Sequence, residues 1–215
     1  MLLHLPANRH VAWATLSLLA ALTLHKLIPW HDSTAHDSRT SAIGEVCIVA
    51  PATPFDPKWG IGLYDPRAVP DDARCPVCGM YPARAREWAA QVIFSNGDTQ
   101  FFDSALSLFI YLQDPAKYSI GRRTSEIAVS YVTDTASGKW IKSTEALFVS
   151  GSNAMGPMRA GNLPAFASAE AAREFADQRG GIILQANQIS PSMLQKLNGS
   201  RRHVHVTTTA PAIRH

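Results

Sequence analysis

The sequence predicts an α+β fold made of two similar ββαβ units in one compact domain. Strand-like and helix-like periodicity follow one another in the same order twice between Trp88 and Gln185. The two strand-to-helix joints, Phe102-Asp103-Ser104-Ala105 and Phe166-Ala167-Ser168-Ala169, place Phe, one residue, Ser and Ala in register. Setting aside a hydrophobic N-terminus and polar ends leaves roughly 145 residues, enough for one domain or two small lobes.

In the first unit, Trp88 to Phe94 reads as a strand, Asn96-Gly97-Asp98 as a hairpin turn and Thr99 to Phe102 as the returning strand. Asp103 or Ser104 can cap a helix over Ala105 to Gln113, with Leu106, Phe109 and Ile110 on one face. Ile127 to Thr133 alternates apolar and polar residues, as a half-buried strand does. In the second unit, Ala146 to Ser150 and Leu163 to Ala167 are strands, and Ser168 caps an Ala-rich helix from Ala169 to Gln178. Gly180-Gly181 ends that helix before a last strand, Ile182 to Gln185. Trp88, Phe101, Phe102 and Phe109 belong to the core.

The ends are of a different character. Arg9, with His4 and His10, precedes an uncharged run from Val11 to Leu24, the pattern of an export signal or N-terminal anchor over residues 1–30. That run is shorter than the ~20 residues a spanning helix needs, although Leu27, Ile28 and Trp30 could extend it. A linker and proline-broken segment follows over residues 31–72. The two units then occupy about 73–135 and 136–192, and residues 193–215 form a disordered tail containing His203, His205 and His215. Hydrophobic residues at 46% against 17% charged fit a globular core with polar ends. A net charge of +3, with Arg122-Arg123 and Arg201-Arg202 as the adjacent basic pairs, excludes a nucleic-acid binder.

Chemistry concentrates in sulfur. Cys75-Pro76-Val77-Cys78-Gly79-Met80 packs two thiols and a thioether into six residues, and Met155-Gly156-Pro157-Met158 forms a second cluster. Such soft donors suit Cu(I), whereas hard cations want oxygen and structural zinc takes four N or S ligands. A Cys-x-x-Cys pair also admits a redox dithiol, part of a zinc site completed by Cys47 and a histidine, or a Cys75–Cys78 disulfide in an oxidising compartment. Gly79 and Pro82 argue against a long helix starting at Cys78, which a thioredoxin-like pair would need. With three cysteines, at least one thiol is left without a partner inside the chain.

Cys75-Pro76-Val77-Cys78-Gly79-Met80, Trp88, Phe102-Asp103, Tyr131-Val132-Thr133-Asp134, Ala146-Leu147-Phe148-Val149, Gly151-Ser152, Gly156-Pro157-Met158, Pro164-Ala165-Phe166 and Gly180-Gly181 form an ordered series that resembles the NosL family over about residues 74–190. The resemblance implies a duplicated ββαβ architecture and an extracytoplasmic accessory protein, not an enzyme, that binds one Cu(I). Its partners would be apo nitrous oxide reductase and the membrane transporter complex that matures it. On the family pattern Cys78, Met80 and Met158 are the copper ligands, with Cys75 and Met155 as further candidates. Two departures stand out: the first cysteine, Cys47, lies far beyond the hydrophobic run where a lipoprotein cysteine is expected, and Arg159 follows Met158 where members often carry Gly. The attachment implied is a periplasmic protein held at the inner membrane by its N-terminal segment, or released after signal cleavage. The rival reading is a thiol–disulfide oxidoreductase that prepares the cysteines of a copper protein.

Overall fold

The computed structural model describes residues 50–159 and 161–199. The expected signal or anchor, Cys47 and the histidines of the tail lie outside the described residues. Among the described residues no helix is long and apolar enough to cross a membrane.

The first unit contains β1 (Ala90–Phe94), β2 (Thr99–Phe102), α1 (Ala105–Gln113) and β3 (Ile127–Thr133). A short helix, α2 (Pro115–Tyr118), follows α1, and β4 (Trp140–Lys142) adds an edge beyond β3. The second unit contains β5 (Leu147–Ser150), β6 (Ala165–Phe166), α3 (Ala169–Arg179) and β7 (Ile182–Gln185), and a last helix, α4, spans Pro191–Gly199. Sheet orders are β2-β1-β3-β4 and β6-β5-β7, with every strand pair antiparallel. In both units the first strand is central, flanked by the second on one side and the third on the other. The duplication legible in the joints is therefore a duplication of topology.

Both joints use the same cap. Ser104 Oγ accepts the Ser107 N–H at 3.3 Å, and Ser168 Oγ accepts the Ala171 N–H at 3.1 Å, each satisfying a donor that the first helical turn leaves open. Pro115 forces Asp114 out of helical geometry (φ −155°, ψ 83°) and ends α1. After α3 the chain turns through Gly180 and Gly181. A Cβ on Gly181 would lie 2.8 Å from the Ser150 carbonyl oxygen, so only glycine lets β7 start against β5.

The halves share one core. Ala90, Val92, Phe94 and Phe102 of the first sheet meet Leu106, Leu108 and Tyr111 of α1, and the same cluster takes in Phe148 and Leu163 of the second unit. Phe109 packs edge-on against Phe148, ring centroids 5.0 Å apart, while Val149, the next residue of β5, turns to the other face with Phe166 and Ala172. Asp134 stitches the units together. It forms a parallel bridge with Ala165, and its buried carboxylate accepts the N–H groups of Ala167 at 3.1 Å and Ser137 at 3.2 Å.

Several expected boundaries move. The strand expected from Trp88 begins at Ala90, because Pro82–Trp88 forms a kinked 3-10 segment. The strand expected over Leu163 to Ala167 contracts to Ala165–Phe166. Residues 193–199, expected in the tail, belong to α4, which seats Leu194, 2% exposed, in the core, and the rest of the expected tail lies outside the described residues. The proline-rich stretch is irregular as expected, yet from Thr53 onward it is no free linker. Thr53 bridges Thr99, and the wholly buried Gln91 side chain binds both the N–H and the C=O of Arg67 at 3.0 Å, fastening this strap across the back of the first sheet.

Candidate metal centre

The sulfur loop is closed on itself. The Cys75 N–H donates to the Met80 carbonyl at 2.9 Å, and the Gly79 N–H donates to the Cys75 carbonyl at 2.8 Å. Gly79 takes φ 73°, a left-handed turn that folds Cys78 back over Cys75 and that a side chain would oppose. Cys75 is wholly buried, Cys78 and Met80 are half-buried, and both thiols are free.

The end of β2 brings a third group. Because Ser104 caps α1, Asp103 is released from capping, and one ligand atom each from Cys75, Cys78 and Asp103 lie within 4.8 Å of one another. Asp103 is 1% exposed, and neither carboxylate oxygen has a hydrogen-bond partner. An ionised carboxylate buried without a partner costs on the order of several kcal/mol, so a cation bound in this cluster would offset that cost. The Cys78 thiol is pushed well up from its ordinary range. Its hydrogen bond with Cys75 contributes most, then burial, then the negative charges of Cys75 and Asp103, against which the Met80 N–H works weakly. Without metal Cys78 therefore keeps its thiol proton at neutral pH, and a soft cation must displace it to bind.

The sign of the pH dependence follows. A thiol that stays protonated in the folded chain but ionises near pH ~8.5 when unfolded supports the fold below that pH and ceases to above it. The metal-free protein should lose up to ~1.4 kcal/mol per pH unit above about 8.5, measurable by urea unfolding, and Cys78→Ala should flatten the slope. An unchanged slope in that variant would separate Cys78 from the effect.

The second sulfur loop lies between β5 and β6. Asn162 Nδ2 donates to the Ala154 carbonyl, and the Arg159 N–H donates to the Gly156 carbonyl at 2.9 Å, which closes the turn. Gly156 is buried against Trp88, where a Cβ would meet Cε3 at 3.8 Å. Trp88 ends the 3-10 segment that starts two residues after Met80, so the second loop packs on the continuation of the first. Met158 is half-buried in that turn, whereas Met155 is 66% exposed.

Of the residues singled out in the sequence, the structure gathers Cys75 and Cys78 and keeps Met80 in their loop. It adds Asp103, which the sequence offered as one of two caps and within the family series, but not as a ligand. Two adjacent cap-competent residues before a single helix were the available signal, since one of them is surplus.

The NosL family profile matches residues 66–194, well over half of the chain. The chain belongs to the NosL family. No curated protein matches the sequence. The copper chaperone NosL from Shewanella denitrificans superimposes with a TM-score of 0.51 at 23% identity, covering 60% of this chain and 98% of that one, a likeness of fold. The apo-NosL protein from Achromobacter cycloclastes gives a TM-score of 0.37 at 26% identity, covering 49% of this chain and 87% of that one. The NosL profile spans both sulfur loops, Asp103 and the Asp134 stitch, and ends at Leu194, within the first half of α4.

Proposed function

We propose that this NosL-family chain is a Cu(I) metallochaperone, not an enzyme, held at the outer face of the inner membrane and supplying copper to apo nitrous oxide reductase. The observation that carries the copper reading is the closed Cys75–Met80 loop, with two free thiols within 4.8 Å and a thioether two residues beyond the second. None of the eight histidines falls between residues 37 and 202, so the folded domain offers sulfur and oxygen but no imidazole. That donor set favours the monovalent soft ion over zinc or Cu(II). A few soft ligands on a half-exposed loop suit hand-over by ligand exchange, which a closed four-ligand site would resist.

The thiol–disulfide oxidoreductase reading is less well supported. An attacking cysteine needs a lowered pKa, commonly at a helix N-terminus, and Cys78 is shifted upward on a loop followed by a kinked 3-10 segment. A closed zinc site takes four ligands, and among the described residues the Cys/Asp cluster offers three.

Competition against a chromogenic Cu(I) chelator tests the site. The reduced chain should hold one Cu(I), and Met158→Ala should weaken it about tenfold while Met155→Ala changes little, because Met158 sits half-buried in the turn against Trp88 and Met155 points to solvent. Equal effects of the two variants would remove Met158 from the ligand set. For the location, the uncharged run from Val11 to Leu24 after Arg9 supports export and tethering. Recovery of the full-length chain in the cytosolic fraction would exclude that location.

A further inference from the structure

The residues on either side of the sulfur loop carry charge that the copper site does not use. Arg74 precedes Cys75, Tyr81 follows Met80, and Arg84 lies three residues further on. The guanidinium carbons of Arg74 and Arg84 stand 4.6 and 4.8 Å from the centre of the same Tyr81 ring, and Arg74 Nη2 also donates to Tyr81 Oη. Two like charges are thus pinned on one aromatic side chain, within about one Debye length of each other at 0.1 M salt, ~10 Å. Both arginines are exposed, and among the described residues neither forms an ion pair. The nearby Asp71 is occupied by Arg86 at 2.6 Å, while Asp72 and Glu87 are exposed and pair with neither.

Holding two unpaired guanidinium groups together opposes their mutual repulsion, and an anion placed between or over them relieves it. Exposed charges of this kind add little to stability. They act on encounter, raising the approach rate of oppositely charged partners and fixing orientation. Here they border the loop on both sides, where a partner must come to take metal from Cys78.

Resting on the copper reading above, we propose that Arg74, Tyr81 and Arg84 form a docking face for an acidic protein surface, so that a copper acceptor is recognised by carboxylates around its own metal-receiving site. The arginines steer and orient that partner and are not metal ligands. The face sets how fast copper leaves, and leaves the affinity for copper unchanged.

Two probes of defined charge test this. Second-order rate constants for Cu(I) withdrawal are measured with a disulfonated phenanthroline chelator and with an uncharged one, at low and at high salt. In parallel, a fluorescently labelled glutamate-rich peptide is titrated onto the metal-free protein. The double variant Arg74→Gln/Arg84→Gln should slow withdrawal by the anionic chelator about threefold to tenfold at low salt. It should leave the uncharged chelator unaffected, abolish the salt dependence and lose the peptide. Arg74→Lys/Arg84→Lys should retain most of both effects, which separates charge from packing on Tyr81. Equal slowing of both chelators, or unchanged anionic rates and peptide affinity, would overturn the docking face. A chain that takes up no Cu(I) would defeat the copper reading instead, and the peptide titration would still decide this one.

Discussion

Replacing Cys78 by serine should cost at least a thousandfold in Cu(I) affinity, about 4 kcal/mol, because a hard hydroxyl that does not ionise replaces the most accessible thiolate of the loop. Cys75→Ser should cost much less, for a reason visible in the site. The Cys75 thiol is the foremost cause of the raised Cys78 pKa, so removing it frees Cys78 to ionise while Cys78 and Met80 stay in place. Both variants should release fewer protons per copper than the native chain, but Cys75→Ser keeps the Cys78 thiol whose proton the metal displaces, and calorimetry in two buffers reads that remaining release. Undiminished one-to-one binding by Cys78→Ser would place the metal elsewhere.

How much of this was legible in the sequence differs from element to element. Thr99–Phe102, Ala105–Gln113, Ile127–Thr133 and Ile182–Gln185 lie where periodicity and caps put them, since each is bounded by a strong local signal: a turn, a Ser cap, or paired glycines. Trp140–Lys142 went unseen because three residues carry no readable period, and its partner Thr133 supplies the order instead. The proline-rich strap looked like a linker because its attachment depends on the Gln91 side chain, a long-range contact that no local pattern announces. In the site, soft-donor chemistry was readable from Cys75, Cys78 and Met80. The presence of Asp103 was not, since it depends on which of two neighbouring residues takes the cap.

The Asp134 stitch gives the largest expected effect on folding. Its carboxylate accepts the backbone N–H groups of Ala136 and Ser137 on the turn and of Ala167 in the other unit, as well as the Ser137 hydroxyl. Asp134→Ala removes these charge-assisted bonds at a 5% exposed position, and should destabilise the chain by about 3 kcal/mol and lower its melting temperature by roughly 10 °C. Asp134→Asn keeps one acceptor oxygen for Ala167 and should fall between the two. The same variant also tests whether copper spans the duplication. Copper stabilises the native state by an amount set by its concentration relative to its dissociation constant. If Met158 shares the ion with Cys78, loosening the bond between Asp134 and the start of the second unit should weaken binding, and the copper-induced shift should shrink in Asp134→Ala. If the first loop holds copper alone, the shift should be as large in the variant as in the native chain, and the second loop would need another explanation.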